Sequence, residues 1–134
     1  MMLKGGCYCG SVRYVAEGEP AMRAQCHCRE CQYITGGGPN YFMVVPPDGF
    51  RIEKGEPKRF TRSDIENPVT RLFCPECGTH LATAPPSHPM LVLKVGTLDD
   101  PAQYIGPQMA IFTVDRQPFH CIPEGLPSFE RMPP

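Results

Sequence analysis

The chain has 134 residues, of which 41% are hydrophobic and 20% charged, and its formal net charge is -1. That length supplies one ordinary hydrophobic core and not two, so residues 1–134 read as a single domain. The composition argues against disorder, and the near-zero charge gives no basic footprint for nucleic acid.

The opening Met1-Met2-Leu3-Lys4-Gly5-Gly6 has no apolar run of the signal-peptide kind, and no later stretch approaches membrane-spanning length. The expectation is a cytoplasmic protein without a membrane partner. In a reducing compartment the eight cysteines favour a thiolate metal framework over disulfides. Seventeen prolines and thirteen glycines leave almost no window for a long amphipathic helix, so strand and turn should dominate.

In chain order, Gly5-Gly6-Cys7-Tyr8-Cys9-Gly10 is a pair of thiols flanked by glycine, which lets a backbone close tightly around an ion. The alternation of Val12, Tyr14 and Ala16 with polar neighbours predicts a half-buried strand. Gly18-Glu19-Pro20 turns the chain into a second strand over residues 21–25, which delivers Cys26. The segment Cys26-His27-Cys28-Arg29-Glu30-Cys31 then places three thiols within six residues. Residues 29–35 lack proline and glycine and can make one or two helical turns that carry Cys31 back beneath Cys28. Gly36-Gly37-Gly38-Pro39 stops them and reads as a flexible loop; the lysine and hydroxyl of a phosphate loop are missing.

Tyr41 to Val45 is a compact apolar strand, and Pro46-Pro47-Asp48-Gly49 predicts a hairpin to Phe50-Arg51-Ile52-Glu53. A short exposed strand is expected over residues 58–62 and another over 69–73. The latter leads into Cys74-Pro75-Glu76-Cys77-Gly78, a tight turn in which both sulfurs can face one ion and glycine relieves the backbone. Further strands are expected at 80–84, 91–95 and 108–114, with a Pro85-Pro86 loop carrying His88. Residues 118–134 read as a tail packed over the sheet.

Tetrahedral zinc takes four ligands. The Cys74/Cys77 knuckle supplies two and the Cys7/Cys9 pair has the matching deficit, so together they close one site. Cys26, Cys28 and Cys31 leave a second site one ligand short, and Cys121 reads as a small buried apolar residue. Zinc with four thiolates is coordinatively full, whereas three leave an opening that prefers a soft ligand such as a thiol, which would lose its proton there. The alternative is that His27, His80, His88 or His120 closes a structural Cys3His site. His27 is the weakest of these, since in an extended backbone it points away from its neighbours and acts as a supporting group. Iron is the alternative metal for paired knuckles.

Gly6-Cys7-Tyr8-Cys9-Gly10, Cys26-His27-Cys28 with Cys31, Phe73-Cys74-Pro75-Glu76-Cys77-Gly78-Thr79, Gly96-Thr97-Leu98-Asp99-Asp100-Pro101 and Leu126-Pro127-Ser128-Phe129 together resemble the glutathione-dependent formaldehyde-activating enzyme family, which includes the centromere protein V domain. The resemblance implies a mainly β fold, a zinc-stabilised β-tent of antiparallel sheets with little helix. It implies two Zn2+ ions per chain, one structural on Cys7, Cys9, Cys74 and Cys77 and one catalytic on Cys26, Cys28 and Cys31. The implied activity is addition of glutathione to formaldehyde, which in reverse is carbon-sulfur lysis. The implied partners are a small thiol and an aldehyde. Non-enzymatic relatives imply the alternative of a zinc-stabilised binding or scaffolding module. Because glutathione carries two carboxylates, Arg29, Arg23 and Arg71 are candidates to grip it, although fold does not fix substrate.

Overall fold

Ten strands form two sheets in the computed structural model, which describes residues 1–86 and 89–134. The smaller sheet is antiparallel and runs in the order β1 (Met2–Gly6), β2 (Arg13–Glu17), β5 (Phe50–Lys54). The larger sheet contains β3 (Met22–Cys26), β4 (Asn40–Val45), β6 (Lys58–Thr61), β7 (Thr70–Phe73), β8 (His80–Ala84), β9 (Leu91–Lys94) and β10 (Met109–Ile111). Its order is β10-β3-β4-β9-β8-β7-β6, antiparallel except for the parallel pair of β10 with β3. The single α-helix among the described residues, α1 (Arg29–Thr35), follows β3 and ends where Gly36 takes a left-handed conformation, φ 85°. The expected mainly β architecture with little helix is what the chain adopts.

β4 explains how the sheets are arranged. Side chains alternate across a strand, so Met43 and Val45 join a core with Leu3, Tyr14, Ala16 and Leu93 between the two sheets. Phe42 and Val44 face the opposite way and build a second core with Ala24, Cys26, Cys31 and Ile111. A strand buried on both faces reads as a continuous apolar run, as Tyr41 to Val45 does. Each fully buried large side chain contributes about 1.5–3 kcal/mol by removal from water.

The hairpin expected across Pro46–Gly49 does not form. Both edges of β4 are already paired, to β3 through Met22↔Val44 and to β9 through Val44↔Val92. The chain therefore crosses to the other sheet, where Tyr14 of β2 pairs with Ile52 of β5. The strand expected over residues 108–114 is shorter: after Ile111 the backbone of Phe112 turns left-handed, φ 53°, and Thr113–Asp115 forms a 3-10 turn. The 118–134 tail does return to the sheet, where Ser128 bridges Ala110 and Phe129 packs against the second core.

The segment after β9 joins the two sheets. Tyr14 and Thr97 share a hydroxyl hydrogen bond of 2.7 Å, Thr97 Oγ1 donates to Lys94 O, and Asp99 N–H donates to Lys4 O. Gly5 lies so close to Thr97 O and the Tyr14 ring that a Cβ would collide with both. Among the described residues no helix is long and apolar enough to cross a membrane.

Candidate metal centres

β1 and β7 end side by side, and the turns after them bring together Cys7, Cys9, Cys74 and Cys77, all sulfurs lying within 4.8 Å of one another. Cys7 to Cys9 is 3.6 Å and Cys9 to Cys74 is 3.8 Å. Four sulfurs each about 2.3 Å from zinc would be spaced about 3.8 Å apart in a tetrahedron, so the donor set and its spacing fit that ion. Gly78, at φ 78°, supplies the left-handed residue that lets the Cys74–Cys77 turn close. The N–H of Val12 donates to Cys7 Sγ at 3.2 Å, and those of Glu76 and Cys77 to Cys74 Sγ at 3.4 and 3.5 Å. Burial raises the Cys7 thiol, but hydrogen bonds from Val12, Ser11 and the neighbouring cysteines outweigh it and bring it to about 7. A hydrogen bond from Thr79 leads in holding Cys77 at about 5.

The second cluster is assembled by one local event, the passage from β3 into α1. Cys26 is the last residue of the strand, Cys28 is the N-cap, and Cys31 sits in the first turn, its N–H donating to Cys28 Sγ at 3.2 Å. The three sulfurs lie within 4.8 Å of one another, and Cys28 and Cys31 are 2.9 Å apart. Hydrogen bonds from Cys26 and Cys31 hold Cys28 down at about 3. The same contacts push Cys26 strongly up, and Cys31 rises to about 12 because the bond to Cys28 and burial outweigh the help of Cys26. One negative charge is thus tolerated without help while three are not, and a soft divalent cation is the partner that would let all three ionise.

Lys94 adds a cation to this side of the sheet. It is 7% exposed, its Nζ has no hydrogen-bond partner among the described residues, and burial lowers its pKa while Cys31 opposes that shift. The signal for it in the sequence is a charged residue closing the apolar strand Leu91-Val92-Leu93-Lys94.

The histidines do not join the three thiols among the described residues. His27 is fully buried and points away, as expected. Its Nδ1 meets His120 Nδ1 at 3.0 Å, and its Nε2 meets Gln25 Nε2 at 3.0 Å. His120 Nε2 donates to Gly37 O at 2.7 Å. With the Gln25 amide donating, His27 carries its proton on Nδ1 and both rings are satisfied as neutral tautomers. Burial lowers the His27 pKa, in keeping with that state. His80 packs on Phe73, with ring centroids 5.7 Å apart, and His88 lies outside the described residues. Cys121, expected to be buried, is exposed; its carbonyl accepts a hydrogen bond from Gln25.

A cavity of about 450 Å³ opens beside Cys26, Cys28 and Cys31, walled by Phe42, Val44, Val92, Ile111 and Phe112. Of the three arginines expected to hold carboxylates, only Arg71 lines it, and Arg71 is paired with Glu30 at 2.8 Å. Arg23 donates to Gly106 O, and Arg29 lies over the Tyr33 ring and bonds Gln32. Thr83 also lines the cavity, and its buried hydroxyl has no partner among the described residues.

Residues 2–115 match the family model described as glutathione-dependent formaldehyde-activating enzyme. A Halomonas elongata protein, whose name assigns it provisionally to that enzyme, is 31% identical over 98 residues, 69% of this chain and 62% of its own length. The match therefore spans less than two thirds of that relative. A crystal structure of a Rhodobacter sphaeroides protein superposes with a TM-score of 0.58 at 21% identity, covering 72% of this chain and 88% of that one, which is a likeness of fold.

Proposed function

The chain belongs to the glutathione-dependent formaldehyde-activating enzyme family, and from that premise we propose that it is a carbon-sulfur lyase-type enzyme that joins a small thiol, glutathione or similar, to formaldehyde or another aldehyde. The observation that carries the reading is the second cluster: three converging sulfurs, no histidine beside them among the described residues, and a cavity at their side. Cys26, Cys28 and Cys31 would hold the catalytic zinc, and Cys7, Cys9, Cys74 and Cys77 the structural one, within one domain of residues 1–134. Zinc bound at the three thiolates supplies a soft Lewis acid that favours the thiolate form of an incoming thiol.

The chain's own part is placement. The N-cap geometry at Cys28 fixes two of the three sulfurs relative to α1, and the end of β3 fixes the third. In the addition, the thiol sulfur forms a bond to the aldehyde carbon, the carbonyl π pair moves to oxygen, and that oxygen takes up the proton the thiol gave to solvent. The reverse step breaks the same carbon-sulfur bond. Proximity and a raised thiolate population are sufficient assistance for a reaction that is already feasible in water. A reducing, cytoplasmic setting, expected from the sequence, would keep the seven cluster cysteines available for metal.

The test is exchange between aldehyde and thiol followed by NMR, with zinc counted on the same samples. Two zincs per chain falling to one in Cys28→Ser, with turnover lost and the fold kept, would support the proposal. Unchanged turnover in that variant would sink the role of the second cluster, and exchange no faster than the uncatalysed reaction in the parent would leave the non-catalytic module as the reading.

A further inference from the structure

Asn40 opens β4 and stands directly opposite Cys26 of β3. Residues opposed in this way share a face of the sheet, with Cβ atoms about 4.5–5.5 Å apart, so the asparagine side chain borders the three thiols. It is 4% exposed and lines the cavity beside them. A buried amide ordinarily spends its hydrogen bonds on neighbouring polar groups. This one makes no side-chain hydrogen bond among the described residues, neither to backbone nor to the sulfur of Cys26. Yet it is not sealed off. The described side-chain atoms that are both unpaired and closed to solvent are His80 Nδ1, Thr83 Oγ1 and Lys94 Nζ, and the Asn40 amide is not one of them.

The other polar groups on the described wall are engaged or out of reach. The three sulfurs converge on one another. Arg71 enters from β7, with β8 and β9 lying between it and β4, and it bonds to the half-exposed Glu30 at 2.8 Å. The hydroxyl of Thr83 is closed off. Asn40 is thus a neutral donor next to the sulfurs, beside the apolar wall of Phe42, Val44, Ile111 and Phe112. A hydrogen bond made in such surroundings is stronger than the same bond in water.

Resting on the thiol-aldehyde reading above, we propose that Asn40 holds the aldehyde oxygen, its side-chain N–H donating to that oxygen while the reacting carbon lies over the sulfurs of the second cluster. As the thiol sulfur bonds to the carbonyl carbon, the π pair moves to oxygen, and the charge building there strengthens the Asn40 hydrogen bond. The amide gives up no proton; the oxygen takes its proton from solvent. In the reverse direction the same contact stabilises the oxygen as the carbon-sulfur bond breaks and the carbonyl reforms. Asn40 is then a catalytic residue of the addition, and its contribution does not depend on pH, because a side-chain amide carries no titrating proton.

The chain has two asparagines, Asn40 and the exposed Asn67, so protein isotope-labelled at asparagine gives two side-chain amide signals, the second an internal control. The zinc-loaded protein is titrated, without thiol, with dimethylformamide, a small unreactive carbonyl acceptor. The Asn40 amide should shift saturably and the Asn67 amide should not. Asn40→Leu keeps the volume and removes the donor. Its kcat should fall about tenfold, the scale of one hydrogen bond, with KM for the thiol, the pH profile and the zinc count unchanged. Asn40→Ser, which restores a donor, should recover part of the loss. An Asn40 amide unmoved by dimethylformamide, full turnover in Asn40→Leu, or loss of the second zinc from that variant would overturn the inference, the last by making the amide a support of the cluster. The titration uses the parent chain, so it decides the point even where Asn40→Leu does not fold. Because no thiol is present, the result is separable from the activity: a shifted amide in a chain without turnover sinks the proposed reaction and leaves the carbonyl site intact. Turnover with an unmoved amide does the reverse.

Discussion

Lys94 stands directly opposite Phe42 in the pairing of β9 with β4, so a buried ammonium and an aromatic ring share the face that carries the central thiols. Nζ has no hydrogen-bond partner among the described residues, and the negative charge of Cys26, Cys28 and Cys31 is what favours the cation there. Three thiolates and one divalent zinc carry a net charge of -1, which Lys94 cancels. Lys94→Met should therefore weaken the second site, which should hold its zinc on the order of tenfold less tightly. A competition titration with a chelator reads the effect. Unchanged zinc affinity would show that Lys94 does not compensate the cluster.

The two clusters should differ in what their loss does to the fold. Cys7 and Cys74 join the main core between the sheets, and the four-sulfur cluster ties the turn after β1 to the turn after β7. Structural zinc typically contributes about 10–16 kcal/mol of binding energy, comparable with the 5–15 kcal/mol that stabilises a whole domain. Cys74→Ser is expected to unfold the chain or lower its melting temperature by tens of degrees. Cys28→Ser, confined to a helix N-cap where serine is a favoured residue, should leave the stability of the fold nearly unchanged. Circular dichroism melts with zinc counted before and after will separate them; equal losses would mean that both clusters are structural.

Local spacing made both clusters legible in the sequence, because each cysteine pair or trio is set by a single turn. Residues 29–35 were readable as helix for the same reason: the breakers flank them and none falls inside. What the sequence hid was pairing at a distance. Pro46–Gly49 is a good turn, but whether a turn makes a hairpin depends on whether the preceding strand has a free edge, and β3 and β9 had taken both edges of β4. β1 has no strand signature in the sequence, where Gly5 and Gly6 read as glycines closing the backbone around the Cys7 site, whereas Gly5 is needed for the close approach of Thr97. Thr83, Lys94 and the pairing of Arg71 with Glu30 became meaningful only once β7, β8 and β9 lay side by side. The placement of Cys121 failed on a base rate: cysteine is commonly buried, but the tail presents this one to solvent.

The contact at Gly5 gives a steric prediction. A methyl group there meets Thr97 O and the Tyr14 ring, and both partners are fixed, since Tyr14 is 1% exposed and bonded to Thr97. Gly5→Ala should destabilise by about 1–3 kcal/mol through overpacking. Tyr14→Phe should cost about 1 kcal/mol for the lost hydrogen bond. Because the two changes disturb one junction, the double variant should lose less than the sum. Urea melts of the three variants would show it, and strict additivity would mean that the junction does not act as a unit.

The same junction carries a charge pair whose effect on stability depends on pH in a definite direction. Arg13 grips Asp99 with two hydrogen bonds, one of 2.9 Å, and the arginine holds the carboxyl below its ordinary value of 3.8. A carboxyl whose folded pKa is depressed stabilises the fold fully above its unfolded value, and that contribution is lost as pH falls through the lower folded value. Both side chains are partly exposed, at 36% and 50%, so the contribution is that of a surface pair, about 0.2–1 kcal/mol, and weakens with salt. Asp99→Asn should lower stability at neutral pH by that amount and should match the parent at pH values below the folded pKa. Asp64 provides the control. Arg62 depresses it in the same direction, but the two residues are neighbours in an exposed turn and can meet in the unfolded chain as well, so Asp64→Asn should leave the melting temperature unchanged at every pH. If Asp99→Asn follows Asp64→Asn, the Arg13 contact contributes nothing to joining the two sheets, and the junction rests on Tyr14, Thr97 and Gly5 alone.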